Sequence, residues 1–334
     1  YTTLFRSIAI LWASSYHINA GTLSQGTIIA FVNYATQILL ALVAVSNLVI
    51  IFTKALASAN RVNEILDVEA SIKGNGMTIE KSLPNGDGFI EFKNVSFAYE
   101  SASDCELMDI NITINKGETV GIIGTTGSGK STFINLIPRF YDVTKGEIII
   151  NGINIKDYSL KKLRDKISMV PQKAVLFTGS ICENICWGKK NASQEEIIDA
   201  AKIAQADEFI KELPNGYNTQ VTRGGLNFSG GQKQRLTIAR AIIAKPEILI
   251  LDDSSSALDF ATDAALRTDI KRLSETMTIL TVSQRASSIK HADKIIVFDD
   301  GKIAGVGPHE YLMKNCDIYK EICLSQLSDK EVNK

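Results

Sequence analysis

Gly124-Thr-Thr-Gly-Ser-Gly-Lys-Ser131 is the stretch that decides the reading of this chain. Its glycines let backbone N–H groups approach and wrap phosphate oxygens. Before it, Glu118 to Ile123 reads as a short strand, and after it Thr132 to Ile137 has helical spacing. Strand, loop and helix in that order give the G-x-x-x-x-G-K-[ST] arrangement in the context it requires. The helix N-terminus adds partial positive charge. Gly124, Thr125, Thr126, Gly127, Ser128, Gly129, Lys130, Ser131 and Thr132 are therefore the candidate phosphate binders. Lys130 is placed to reach β- and γ-phosphates, and the Ser131 hydroxyl to ligate Mg²⁺.

The second half of such a site is a carboxylate at the end of a buried strand. Glu247-Ile-Leu-Ile-Leu251 supplies the apolar run, and Asp252 follows as a hard oxygen ligand for Mg²⁺. From Gly88 onward, short β-rich runs alternate with helical patterns, which implies an α/β domain around a largely parallel sheet. The expected fold class is thus an α/β P-loop NTPase, preceded by truncated transmembrane α-helices.

Those helices come from the other end. Residues 7 to 53 contain no Asp, Glu, Lys or Arg. A polar, Gly-containing stretch from Ser14 to Gly26 divides the run, and Thr27 to Phe52 is long enough to cross a bilayer, which takes about 20 residues. Leu4 to Ala13 is too short to span and reads as the outer end of a helix that begins upstream; the chain opens without Met, inside this apolar run. Lys54 and Arg61 place the following end on the cytoplasmic side. Asn33, Thr36, Gln37, Ser46 and Asn47 are costly against lipid. Two readings stand for them: a bundle interior or translocation path, or helix-to-helix hydrogen bonds. The expected domains are 1–67 for the membrane part, with its last helix at 27–67, then 68–88 as a linker rich in Gly and Pro. A nucleotide-binding domain at 89–327 and a tail at 328–334 complete the chain.

Between the two halves of the phosphate site lies Phe228-Ser-Gly-Gly-Gln232, followed by Lys233-Gln-Arg235. It resembles the signature of ATP-binding cassette (ABC) proteins, usually written LSGGQ. A Ser and two Gly at a helix start expose N–H donors to phosphate like a second cradle. The resemblance implies that Phe228, Ser229, Gly230, Gly231 and Gln232 act across a dimer, on ATP held by the other subunit. It also implies an adenine-stacking role for Tyr99, a Mg²⁺ contact and membrane-domain link for Gln172, and a dimer-crossing loop at Ser256-Ala-Leu-Asp259. A mostly helical insertion, about 177–240, carries the signature. The upstream helix and Leu56-Ala-Ser-Ala-Asn-Arg61 resemble exporter-type members. ATP and Mg²⁺ are the implied ligands. The implied setting is the plasma membrane, with lipid around the helices, the cassette in the cytoplasm and an exported substrate the sequence does not identify.

Two positions depart from the pattern. Where the family has a water-polarising Glu, this chain has Asp253, one methylene shorter; where it has a γ-phosphate-binding His, this chain has Gln284, which donates a hydrogen bond but carries no charge. Arg223 stands where exporters commonly have Glu. The combination resembles one subunit of a heterodimeric, multidrug-type exporter, with a slow site on this chain and a competent one completed by its signature. The homologous partner is then not identical to this chain. The alternatives are a homodimer with a fully active Asp253, or a soluble ABC ATPase acting on nucleic acid or ribosomes. A formal net charge of -1 gives no global basic field for nucleic acid, and the uncharged run argues against the soluble reading. The five cysteines lack metal-site spacing and the three histidines lie far apart, so neither suggests a metal cluster.

Overall fold

A computed structural model describes residues 2–22, 24–69, 72, 88–99 and 105–326. The linker expected at 68–88 falls mostly outside these residues, and the tail at 328–334 wholly so. The chain divides into two compact units, Tyr1–Ser71 and Ile72–Lys334.

The first unit holds helices α1 (Thr2–Asn19) and α2 (Gln25–Leu66). Ser24 caps α2, its side chain accepting from Thr27 N at 3.4 Å. At 42 residues this helix is about 63 Å long, roughly twice the hydrocarbon thickness of a bilayer. Its stretch Gly26–Leu66 is long and apolar enough to cross a membrane, with mean hydropathy 2.3 in its best window. Among the described residues of this unit Ile28 alone is buried; Leu40, Leu48, Ile51 and Phe52 are exposed. A helix apolar all round needs lipid or other helices to cover it. The turn is shorter than the polar stretch 14–26 suggests, because α1 runs on to Asn19. Ser15 Oγ donates to Trp12 O at 2.8 Å, so this polar residue bonds back to its own helix without breaking it. Thr36 and Ser46 do the same, donating to Val32 O and Leu42 O at 2.9 Å each. Both hydroxyls are thereby satisfied within α2.

Among the described residues of the second unit there are twelve strands. They are β1 (Ile90–Phe97), β2 (Leu107–Ile114), β3 (Thr119–Gly124), β4 (Lys145–Ile150), β5 (Ile153–Asn154), β6 (Ile167–Val170), β7 (Gly179–Ser180), β8 (Gln220–Val221), β9 (Ile248–Asp252), β10 (Thr278–Val282), β11 (Lys294–Asp299) and β12 (Lys302–Gly307). Its helices are α3 (Lys130–Leu136), α4 (Leu160–Asp165), α5 (Ile181–Cys186), α6 (Gln194–Ile203), α7 (Asp207–Glu212), α8 (Gly230–Ile242), α9 (Phe260–Leu273), α10 (Ala286–Ile289), α11 (His309–Asn315) and α12 (Asp317–Gln326).

The main sheet has the order β12-β11-β3-β10-β9-β6, parallel except for the β12 edge. Its inner strands are apolar runs, as burial on both faces demands. Val282 of β10 is level with Ile122 of β3 and with Asp252 of β9. The glycine loop and the acidic strand end therefore emerge on the same carboxyl edge, one strand apart. The β11–β12 turn is the two-residue Asp300-Gly301, both at positive φ (42° and 73°), as a tight hairpin requires.

A second sheet, antiparallel and ordered β2-β1-β4-β5, was not foreseen from the sequence. Helix α3 joins it to the main sheet. Phe133 of α3 is fully buried, stacked on Phe92 of β1 at 4.4 Å and tilted against Phe298 of β11 at 5.2 Å. A mainly helical region, α5 to α8 with the β7–β8 pair, shares a core with the main sheet, in which Ile181, Ile185, Phe228 and Leu236 are buried with Leu249 and Leu251 of β9. A third core places Tyr319 and Cys323 of α12 with Ile123 of β3 and with Ala286 and Ile289 of α10.

A candidate nucleotide site and a second helix start

The loop after β3 takes its shape from three glycines at positive φ: Gly124 (157°), Gly127 (81°) and Gly129 (93°). A Cβ on Gly124 would stand 2.2 Å from Phe298 O, and one on Gly129 would stand 2.7 Å from Leu107 Cδ2. Those two glycines press the loop against the protein. A Cβ on Gly127 would meet nothing within 4 Å, so there the glycine serves the positive φ of the loop and not a close approach. Lys130 is buried, and its Nζ donates to Gly124 O at 3.0 Å, Thr125 O at 2.5 Å and Ser128 Oγ at 3.2 Å. Burial pushes its pKa down, while Asp252 and Asp253 pull it up. Ser131 and Thr126 are exposed at the mouth, whereas Ser128 and Thr132 are buried. Tyr99 is half-buried with its hydroxyl 3.2 Å from Thr132 Oγ1, and its ring meets Phe97 and Tyr141 edge-on. An aromatic ring is thus fixed beside the phosphate loop.

Asp252 and Asp253 face Lys130 from the end of β9. Burial raises the carboxyl pKa of Asp252, and the charge of Asp253 raises it further. Asp253 is raised by its own burial, against the Gln284 backbone N–H and the Gln172 side chain, which favour its charged form. Gln172 Nε2 donates to Asp253 Oδ2 at 3.4 Å. The Asp253 backbone is in the left-handed region (φ 43°), with its N–H on Val282 O at 2.9 Å. Gln284 reaches Asp253 through its main chain, and its residue is exposed. The oxygens that could hold a cation here are the Ser131 hydroxyl, the Asp252 carboxylate and the Gln172 amide oxygen. Hard oxygens with a single carboxylate suit Mg²⁺, which completes its shell with water and phosphate.

The Phe228–Gln232 stretch begins α8. Ser229 Oγ accepts from Gln232 N at 3.2 Å, and Gln232 Oε1 accepts from Ser229 N at 2.9 Å, a reciprocal cap. The cap leaves Gly230 and Gly231 N–H as open donors of the helix start. Phe228 is buried and anchors the turn. Gly231 packs on the Ser256–Asp259 loop, where an added Cβ would stand 3.1 Å from Ala257 O. Asp259 caps α9, accepting from Thr262 N at 2.9 Å, and Ser256 Oγ donates to Asp253 O at 2.9 Å. The loop at Ser256 is therefore tied to the acidic strand end.

Sequence reasoning missed three anchors. Arg240 of α8 donates to Asn184 O, Val175 O and Asn184 Oδ1, while Asn184 brackets Phe177 N and O, fixing the segment after Gln172. Arg285 stacks over Phe260 at 5.6 Å and donates to Ser256 O. Gln326, the last residue of α12, bonds to the Gln284 loop. Each acts across at least 25 residues of sequence, where local patterns carry no signal. A cavity of about 950 Å³ between α9, α10 and the sheet contains no residue of the phosphate loop.

Residues 107–256 match the family model described as ABC transporter. The chain is 45% identical over 319 residues to the uncharacterized ABC transporter ATP-binding protein YfiB of Bacillus subtilis, an alignment covering 96% of this chain and 55% of that one. It is 40% identical over 315 residues to the putative multidrug export ATP-binding/permease protein YgaD of the same species, covering 94% and 54%. A solved bacterial Atm1-family ABC exporter with ATP bound superposes with a TM-score of 0.77 at 30% identity, over 98% of this chain and 58% of that one. The chain thus spans about half the length of the relatives it matches. With the glycine loop, the acidic strand end and the Ser229 helix start on one fold, the chain carries the ATP-binding cassette of the ABC transporter family.

Proposed function

We propose that this chain is part of one half of an ATP-driven exporter, with its cassette in the cytoplasm and α2 in the plasma membrane. The cassette binds ATP with Mg²⁺ on residues 124–132, with Tyr99 against the base. Ser131, Gln172 and Asp252 hold Mg²⁺, which neutralises charge on the β- and γ-phosphates when bound. Lys130 turns from the loop carbonyls toward the phosphates. Asp253 orients the attacking water, and the Gln284 main chain keeps that carboxylate in place. Gly230 and Gly231 present N–H groups to ATP held by a second cassette. Closure of two cassettes on ATP supplies the differential binding energy between transport states.

We further propose that this chain's own site is slow and that its partner is a homologous, non-identical half-transporter. The observation that carries this reading is a fully shaped phosphate loop beside a shortened carboxylate, Asp253, held by Gln172. Shifting a catalytic group by about 1 Å costs on the order of 100-fold in rate. The printed multidrug-export name of one relative supports export, with the cargo left to experiment. The test is single-turnover hydrolysis by the full-length dimer. Asp253→Glu combined with Gln284→His should raise the rate at this site by at least about tenfold. An unchanged rate contradicts the slow-site reading, as does brisk turnover by the unsubstituted chain alone.

A further inference from the structure

We propose that Gln326, at the end of α12, is a positioning residue that clamps the Gln284 loop from the C-terminal side of the fold. The inference rests on the nucleotide-site reading above and extends it to a residue outside the familiar motifs.

The clamp is bidentate. Gln326 Nε2 donates to Gln284 O at 2.6 Å, and Gln326 Oε1 accepts from Ala286 N at 2.8 Å. One side-chain amide therefore engages the main chain on both sides of Arg285. The rest of the loop is pinned elsewhere. Ser283 N donates to Ile122 O of the phosphate-loop strand at 3.0 Å, and Arg285 N donates to Ser283 Oγ at 3.0 Å. On both sides of Gln284 the segment is tied to the acidic strand end: Val282 O accepts from Asp253 N at 2.9 Å, and Arg285 donates to Ser256 O while Ser256 Oγ donates to Asp253 O at 2.9 Å. The Gln284 segment thus lies between those ties and α12.

Helix α12 is a rigid platform for this contact. Tyr319 is fully buried and Cys323 nearly so, packed with Ile123, Ala286 and Ile289. Positions 319, 323 and 326 follow the i, i+4, i+7 spacing of one helix face. Gln326 is the polar end of a stripe whose other members sit in the core. Ala286 is the first residue of α10, so its N–H is an orphan donor of a helix start that Gln326 satisfies. Neutral bonds of this kind add little to the fold as a whole. They weigh more in the placement of a short loop, residues 283–285, between β10 and α10.

The consequence is specific. The Gln284 segment is tied to Asp253 through Val282 and through Ser256, so whatever holds its main chain bears on the placement of that carboxylate. Gln326→Ala removes both clamp bonds. Gln326→Glu keeps the acceptor for Ala286 N and loses the donor to Gln284 O. The two variants separate the halves of the contact.

The experiment uses the full-length dimer and reads amide exchange at Ala286, Mg-ATP affinity, thermal midpoint and single-turnover hydrolysis. The expected result for Gln326→Ala is faster exchange at Ala286 and about tenfold slower turnover, with affinity and thermal midpoint unchanged. Gln326→Glu should retain protection at Ala286 while turnover still falls. Unchanged exchange and turnover in Gln326→Ala would overturn the clamp. So would parallel loss of affinity, midpoint and turnover, which marks a merely structural role. No Mg-ATP affinity in the unsubstituted dimer would instead overturn the nucleotide-site reading, and the clamp's role with it.

Discussion

Two helix starts in this cassette, those of α3 and α8, are proposed to meet phosphate, and they are built in opposite ways. Helix α3 begins at Gly129 with no side-chain cap, its loop shaped by glycines and closed by the buried Lys130. Helix α8 begins with the Ser229–Gln232 reciprocal cap, already satisfied within the chain, leaving only the two glycine N–H groups open. The first start has no side-chain cap for its N–H groups, and the second meets the Ser229 and Gln232 N–H groups within the chain. The contrast fits a cassette that holds ATP on its own loop and offers the other face to a companion.

Their supports differ as well, and the largest expected effect tests that. Helix α3 is set by the Phe92–Phe133–Phe298 cluster between two sheets. Phe133→Ala should destabilise the domain by about 3–5 kcal/mol, measured by denaturant unfolding. A loss below about 1 kcal/mol would mean that the loop does not depend on this wedge. Next, Lys130→Ala should weaken Mg-ATP binding by on the order of 100-fold, because charge-assisted bonds are the strong ones. The same titration on Ser229→Ala should show unchanged affinity at this chain's own loop. Equal losses would erase the distinction between the two helix starts.

A smaller effect separates capping from phosphate contact at α8. Ser229→Ala should cost about 1 kcal/mol of stability through the lost cap. Ser229→Asp should keep the cap and the stability, yet lower ATP turnover by the assembled dimer, since a carboxylate opposes phosphate. If Ser229→Asp retains full turnover, no phosphate comes near this helix start.

The smallest effect lies in the ion pairs of the helical region. Glu196 of α6 bonds Lys189 at 2.7 Å and Lys245, just beyond α8, at 3.0 Å. Lys189 first and Lys245 second hold its carboxyl down at about 2, against 4.5 for the free group. A depressed carboxylate stabilises the fold above its unfolded value, so this contribution is complete above pH 4.5 and fades as pH falls toward 2. Stability of Glu196→Gln should therefore differ from the unsubstituted chain above pH 4.5 and converge with it near pH 2. Screening at an exposed site keeps the difference small, and added salt should reduce it.

Much of this site was legible because its chemistry is local. The Gly124–Ser131 loop, the strand before it and the EILIL run into Asp252 each lie within one short window. The antiparallel sheet was not legible. Ile90 of β1 pairs with Ile114 and with Ile150, partners 24 and 60 residues away, and nothing in the local pattern of β1 names them. The same holds for Gln326, an unremarked polar residue at a helix end until the fold brings it to Gln284. At Asp259 the sequence pointed to a dimer loop, and the structure adds a local role, the cap of α9. The α1–α2 turn was placed too broadly because polar residues were read as helix breakers, whereas Ser15 bonds back to its own helix.

The most direct measurement is calorimetric titration of ATP into the full-length dimer, with and without Mg²⁺, using the unsubstituted chain and Lys130→Ala. The account predicts saturable binding at this chain's loop that needs Mg²⁺ and weakens on the order of 100-fold without the lysine. Equal affinity in all arms, or no binding at all, would contradict it.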